Sequence, residues 1–219
     1  MHSRGVPTIG LIVLAVTGTL ASTAGAQPPG PVAVHQGAAR PVVFPDAPSG
    51  TVCAQNNGAP NGGEISAQNY EPEYRPYNSR AAADFTPRHR CVVTTVDIAG
   101  VSRDGTSNSV TVKIRDDDSG LPGRKHCVAR LAAPGPNFTV PVSDCTLRRG
   151  RTYWLDVQVD QDYITQGQWF WAGTDERPGV SDAWKNRPDG WGYGCTVWAP
   201  VEACLEFDDY DFIFSVNKG

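Results

Sequence analysis

Thr152-Tyr153-Trp154-Leu155-Asp156-Val157-Gln158-Val159 alternates between two kinds of side chain. In an extended chain successive side chains point to opposite faces. Tyr153, Leu155, Val157 and Val159 therefore share one face, and Trp154, Asp156 and Gln158 share the other. A helix would scatter both sets around its circumference, so the stretch reads as a half-buried antiparallel strand. The same alternation recurs from Ser109 to Arg115, where Val110, Val112 and Ile114 oppose Thr111, Lys113 and Arg115. It appears again in Phe138, Val140 and Val142.

Further strands are expected at Cys91 to Ile98, Lys125 to Leu131, Gly167 to Ala172 and Tyr210 to Val216, separated by Gly, Pro, Asn and Asp. No window supports a helix of three turns. Short strands divided by turns predict an all-β chain, an antiparallel β-sandwich or barrel. From Thr51 to Arg80 the chain is polar and loop-like, with turn signals at Asn56-Asn57-Gly58 and Asn61-Gly62-Gly63. That segment either wraps the sandwich or contains short strands. Residues 27–50 are rich in Pro and Gly and read as an arm or linker, with Pro41-Val42-Val43-Phe44 as a short edge strand.

The N-terminal residues 1–26 have the features of a signal peptide: Arg4, an apolar run from Ile9 to Val16, and Ala24-Gly25-Ala26 before the expected cut. The expected organisation is a signal peptide at 1–26, an arm at 27–50 and a single β-sandwich domain at 51–219. The destination is then extracellular, the cell surface or a periplasm. No later segment is apolar for long enough to span a bilayer after processing. A formal net charge of −4 argues against nucleic acid or an anionic membrane as the partner of the whole domain.

Six cysteines, Cys53, Cys91, Cys127, Cys145, Cys195 and Cys204, follow the cut, an even number suited to three disulfides in an oxidising compartment. Proximity favours Cys195 with Cys204 and Cys127 with Cys145, leaving Cys53 with Cys91, although sequence alone leaves other pairings open. Zinc ligation is disfavoured, because there is no CxxC pair and only His126 adjoins a cysteine.

The order of several short motifs adds a resemblance. They are Ala83-Asp84-Phe85, Val96-Asp97-Ile98-Ala99-Gly100, Gly120-Leu121-Pro122-Gly123, Leu147-Arg148-Arg149-Gly150-Arg151-Thr152-Tyr153-Trp154-Leu155, Gln168-Trp169-Phe170-Trp171 and Asp211-Phe212-Ile213-Phe214. The series resembles a β-sandwich module of exported bacterial proteins, found alone or beside peptidase, adhesive and surface-anchoring segments. The resemblance implies a jelly-roll-like fold and a surface or extracellular setting, and transfers no catalytic residues. Ala83 stands where that family often has a second Asp, which weakens any inference of a metal site there.

All six tryptophans, at 154, 169, 171, 184, 191 and 198, lie between Arg151 and Pro200. An aromatic surface with amide and carboxylate neighbours is the type that binds saccharides, because a sugar's C–H face covers an aromatic plane. Trp154, Trp169, Trp171, Trp184 and Trp191 are the candidate platform, with Asp156, Gln158, Gln168 and Asp182 as polar partners. Trp169 and Trp171 are also natural core residues of a sandwich. Trp184 and Trp191, in the Gly/Pro/Asp-rich stretch Gly173 to Gly194, are expected in an exposed loop.

Asp116, Asp117 and Asp118 cluster carboxylates at a strand end, where calcium is the cation they would take; a solvated acidic turn is the simpler expectation. No other cofactor is implied. GxSxG, HExxH and phosphate-cradling glycine loops are absent. Carboxylate pairs drawn from Asp156, Asp160, Asp162 or Glu176 arise readily among 23 acidic residues. The sequence therefore predicts a secreted, non-catalytic module that binds a polysaccharide or another cell-surface component. The alternatives are a structural or adhesive protein-interaction module with core tryptophans and, last, an exported hydrolase.

Overall fold

The alternating stretches become paired strands in the computed structural model, which describes residues 30–36, 52–56, 63–102, 105–174, 181–206 and 211–219. The signal-peptide segment at 1–26 and the Pro41–Phe44 strand lie outside the described residues. In chain order the strands are β1 (Val34–Gln36), β2 (Val52–Asn56), β3 (Gly63–Ser66), β4 (Gln68–Asn69), β5 (Ser79–Phe85), β6 (Cys91–Ile98), β7 (Gly100–Ser102) and β8 (Ser109–Asp117). They continue with β9 (Pro122–Ala132), β10 (Phe138–Leu147), β11 (Tyr153–Asp160), β12 (Trp169–Thr174), β13 (Asp182–Asn186), β14 (Ala199–Pro200), β15 (Asp211–Phe212) and β16 (Phe214–Lys218). A 3-10 turn at Pro72–Tyr77 and two short helices, α1 (Tyr163–Gln166) and α2 (Val201–Leu205), connect them.

The largest sheet runs β14-β13-β5-β11-β8-β9, with β4 added in parallel at the end of β11. A second sheet runs β10-β6-β16-β2, and a third runs β1-β3-β12-β15 with β7 also paired to β12. Side chains from one face of the large sheet, among them Ala81, Ala83, Val112, Ile114, Leu155 and Val157, pack with Val93, Val96, Val140 and Phe214 of the second sheet. Ile65, Trp169 and Trp171 of the third sheet complete the same core. This is the all-β antiparallel sandwich expected from the alternation.

Three disulfides staple it: Cys53–Cys91, Cys127–Cys145 and Cys195–Cys204. Cys127 on β9 and Cys145 on β10 tie the edge strand of the large sheet to the edge strand of the second, with Cα atoms 5.7 Å apart.

The segment from Thr51 to Arg80 follows the second of its two sequence readings, short strands. It contributes β2, β3, β4 and the start of β5 to the sheets. β5 reads Ser-Arg-Ala-Ala-Ala-Asp-Phe and shows no apolar alternation, because its small residues are buried on both faces of the sheet. The arm also contributes β1, whose Val34 lies opposite Ile65. Ala33 next to it is buried.

Candidate functional site

Strand β11 occupies the middle of the large sheet, with β5 on one side and β8 on the other. Its inward residues enter the core. Its outward residues meet a set of charges fixed by register. Asp156 lies opposite Ala82 of β5 and Lys113 of β8, and Trp154 lies opposite Asp84 and Arg115. One strand further out, Lys185 of β13 lies opposite Arg80 of β5, and Ala183 opposite Ala82. Arg80, Ala82, Asp84, Lys113, Arg115, Asp117, Trp154, Asp156, Gln158, Ala183 and Lys185 thus occupy the outer face. The alanines at 82 and 183 leave space over the strands for longer neighbours to fold inward.

Asp156 is at the centre and has no solvent exposure. Arg80 donates from Nε to Oδ1 at 2.8 Å, and Arg115 donates from Nε to Oδ2 at 2.6 Å. Both guanidinium groups are themselves mostly covered, with side chains 15% and 16% exposed. A carboxylate removed from water requires this pairing, since an isolated buried charge is prohibitively costly. Arg115 is held further by Nη1 donating to the Gly123 carbonyl at 2.8 Å.

Trp198 closes one side. Its half-buried ring packs against Ala82, Trp154, Ala183 and Leu121, forming a small apolar cluster on the outer face. The Lys185 ammonium stands 4.4 Å from the centroid of that ring, and the Arg115 guanidinium 5.9 Å from it, both within cation–π range. Burial pulls the Lys185 ammonium down to a pKa of about 8; Asp156 opposes the shift, and Arg80, Arg115 and Lys113 add to it. Lys113 is lowered for the same leading reason, with Arg80 also repelling it and Asp156 again opposing.

The remaining sequence candidates are placed elsewhere. Trp154 is on the outer face as expected, yet it is 1% exposed, because Trp198 covers it and its Nε1 donates to Asp117 Oδ1 at 2.8 Å. Trp169 and Trp171 are core residues, donating to the carbonyls of Pro136 and Ile213. The expectation of an exposed Trp184 is corrected: it lies on β13, fully buried, and donates to the Ser66 carbonyl at 2.9 Å. β13 is hidden in sequence by the glycines and prolines around it, but its pairing with β5 and β14 carries Trp184 into the core.

Trp191 is half-buried, packs 5.3 Å from the Tyr77 ring and 5.7 Å from the Trp184 ring, and donates to the Pro31 carbonyl at 2.9 Å. It clamps the segment that enters β1. Gln168 has a related task, because its amide accepts from Val32 N at 3.0 Å and donates to Val32 O at 2.6 Å. Asp182 is buried opposite Ala83, away from the outer face. Of the polar partners named from sequence, only Asp156 and Gln158 reach the site, and Gln158 is held there by donating to the Ser79 carbonyl at 3.0 Å.

The acidic run at Asp116, Asp117 and Asp118 does not converge. Asp116 pairs with Arg124 and Arg151 at 3.2 Å each and lies 3.6 Å from His126. Asp117 takes the Trp154 indole, and Asp118 closes the turn between β8 and β9 through its backbone. Alternation along β8 separates them: Asp116 is buried and Asp117 faces the other way. Among the described residues no group of three or more His, Cys, Asp or Glu is placed to hold a metal ion.

Sequence reasoning missed Arg80, Lys185 and Trp198, and took Lys113 and Arg115 only as a solvent face. Setting β8 beside β11 would have brought Lys113 and Arg115 to Asp156 and Trp154. No comparable sequence signal marks β5 or β13.

No protein-family model matches the chain, and no curated protein matches it by sequence. Among solved structures it is similar to the cysteine protease and lectin-like domains of Cwp84, a surface layer associated protein of Clostridium difficile. That similarity has a TM-score of 0.42 and 12% identity over 64% of this chain and 32% of the other. A structure of the clostridial protease Cwp84 after propeptide cleavage gives a TM-score of 0.43 at 12% identity, over 64% of this chain and 36% of that one. The chain spans about a third of the length of these structures.

Proposed function

We propose that this chain is an exported, non-catalytic module that binds a polysaccharide or another saccharide-bearing component of a cell surface, using the outer face of the large sheet. The observation that carries the reading is the half-buried Trp198 ring, packed on the Ala82, Trp154 and Ala183 cluster with Lys185 and Arg115 beside it, on the face that also holds Asp156 and Gln158. An aromatic edge beside fixed hydrogen-bonding and charged groups is the composition that saccharide recognition needs. The three disulfides support export, because such bonds persist in oxidising compartments.

The experiment is titration of the folded protein against a panel of polysaccharides, read by calorimetry and by tryptophan fluorescence. Trp154, Trp169, Trp171 and Trp184 are shielded and Trp191 clamps the segment entering β1, so the fluorescence response should come from Trp198. Trp198→Ala should weaken binding about tenfold, the scale of one aromatic contact. Binding that survives this substitution unchanged would remove the outer face from the reading.

One observation favours a second reading, a structural or adhesive module. Four tryptophans are fully enclosed, three of them with the indole N–H bonded to a backbone carbonyl, as in residues that serve only packing. Absence of binding across the panel, with capture of a protein partner unaffected by Trp198→Ala, would select it.

A further inference from the structure

The cluster around Asp156 holds more positive charge than its own ion pairs require. Asp156 has two oxygens, and Arg80 and Arg115 already occupy them. Lys113 and Lys185 are then added to the same cluster with no ion pair of their own among the described residues. Lys185 rests on an aromatic ring and not on a carboxylate. Among the described residues, Asp156 is the one carboxylate that acts on both lysines, whereas Arg80 and Arg115 repel both. Four cations therefore gather about Asp156 in a half-buried setting, with Asp84 and Asp117 further along the same face beside Trp154.

Grouping like charges where solvent is partly excluded is unfavourable unless something compensates it. A second feature points the same way. Arg80 Nη2 is buried and has no hydrogen-bond partner, although the Nε of the same guanidinium is fully engaged. Buried donors are nearly always satisfied, so this N–H group marks where an acceptor is missing.

We infer that the outer face of the large sheet is an oxyanion site, and that the ligand is an acidic polysaccharide whose carboxylate or sulfate groups are taken by Lys113 and Lys185 beside the Arg80–Asp156–Arg115 cluster. The inference rests on the saccharide reading of the same face and adds the charge of the ligand. The two ammonium groups supply rotatable point charges for the oxygens of these groups. Trp198 then borders the sugar ring that carries the anion. Lys185 is free to turn toward the ligand because a cation–π contact is weaker than the ion pair that would replace it.

The test measures binding of polygalacturonate, dextran sulfate, neutral dextran and inorganic sulfate to the native protein and to two double variants. K113Q/K185Q removes the uncommitted charges and spares the Asp156 pairs. R148Q/R149Q removes two exposed cations outside the site and controls for nonspecific attraction. Expected is binding of one or both acidic polymers, weakened about tenfold or more in K113Q/K185Q, unchanged in R148Q/R149Q, and reduced by salt. Circular dichroism of each variant checks that the fold is kept.

Equal binding of neutral and acidic polymers, unaffected by K113Q/K185Q, would overturn the oxyanion site and leave the saccharide reading standing. Binding of inorganic sulfate alone, lost in K113Q/K185Q, would sustain an anion site but overturn its saccharide ligand. Equal loss in both double variants, or no binding by any probe, would overturn the inference.

Discussion

At their centre the two faces of β11 are equally dry but differ in what keeps water out. Leu155 and Val157 on the inner face and Asp156 and Trp154 on the outer face are all within 1% of complete burial. The inner face is covered by apolar side chains of the other two sheets. The outer face is covered by the stems of arginines, by Trp198 and by a central ion pair. Burial therefore does not separate core from site here. The chemical character of the covering residues does, because an apolar cover is satisfied by contact alone and a charged cover requires exact partners.

The largest expected effect breaks this symmetry. Leu155→Ala should cost about 2 to 5 kcal/mol through lost contacts and a cavity. Asp156→Ala removes little volume, yet should cost about 3 to 5 kcal/mol, because it leaves two covered guanidinium groups facing each other without an anion. Chemical denaturation would measure both. Replacing the three charges together, as R80M/R115M/D156L, should restore most of the stability, since apolar residues of similar size commonly substitute for a buried ion pair. A triple variant as unstable as Asp156→Ala would mean that the outer cluster is maintained for stability and not for a ligand.

A smaller effect is expected where the two layers are tied. Cys127–Cys145 is the bond between the edges of the large and second sheets, and C127A/C145A should lose about 2 to 4 kcal/mol of stability. Because β9 borders the outer face through β8, the same variant tests whether that face depends on the sandwich behind it. Binding retained at a temperature where the variant is still folded would show that the outer face is an autonomous surface.

The fold was legible where strands have one apolar and one polar face. β6, β8, β10 and β11 are such strands, and their alternation also sorted Trp154, Asp156 and Gln158 onto the outer face. β5 and β13 were not legible, since β5 buries small residues on both faces and β13 sits between turn-forming stretches. These two strands supply Arg80 and Lys185, and the loop before β14 supplies Trp198. Arg80 and Lys185 were thus hidden for the same reason as the strands that carry them. The tryptophans drew sequence reasoning toward aromatic exposure, yet the position of Trp184 is set by a strand pairing that its neighbours do not announce. The site consists of charges whose significance depends on register across strands far apart in the chain.

The smallest effect concerns pH and distinguishes the faces without altering packing. On the outer face Lys185 changes charge between neutral pH and pH 10.5, with its pKa lowered to about 8. A lowered folded value means that the fold disfavours the ammonium. The group therefore subtracts stability below about pH 8, and the penalty fades as pH rises from about 8 to 10.5, where the unfolded chain also loses its proton. The groups facing it are Arg80 on β5, Lys113 and Arg115 on β8 and Asp156 on β11. Lys113 is lowered as well, so its contribution has the same sign and must be subtracted. Comparing the native protein with Lys185→Met at each pH performs that subtraction, because Lys113 is common to both. The native protein should be the less stable of the two at pH 7 and should approach the variant by pH 10.5. With a bound acidic polymer the order should reverse at pH 7, since the ammonium then has a partner. A stability difference that stays flat with pH would show that Lys185 is solvated like any surface lysine, and the outer face would lose its distinction from an ordinary polar surface.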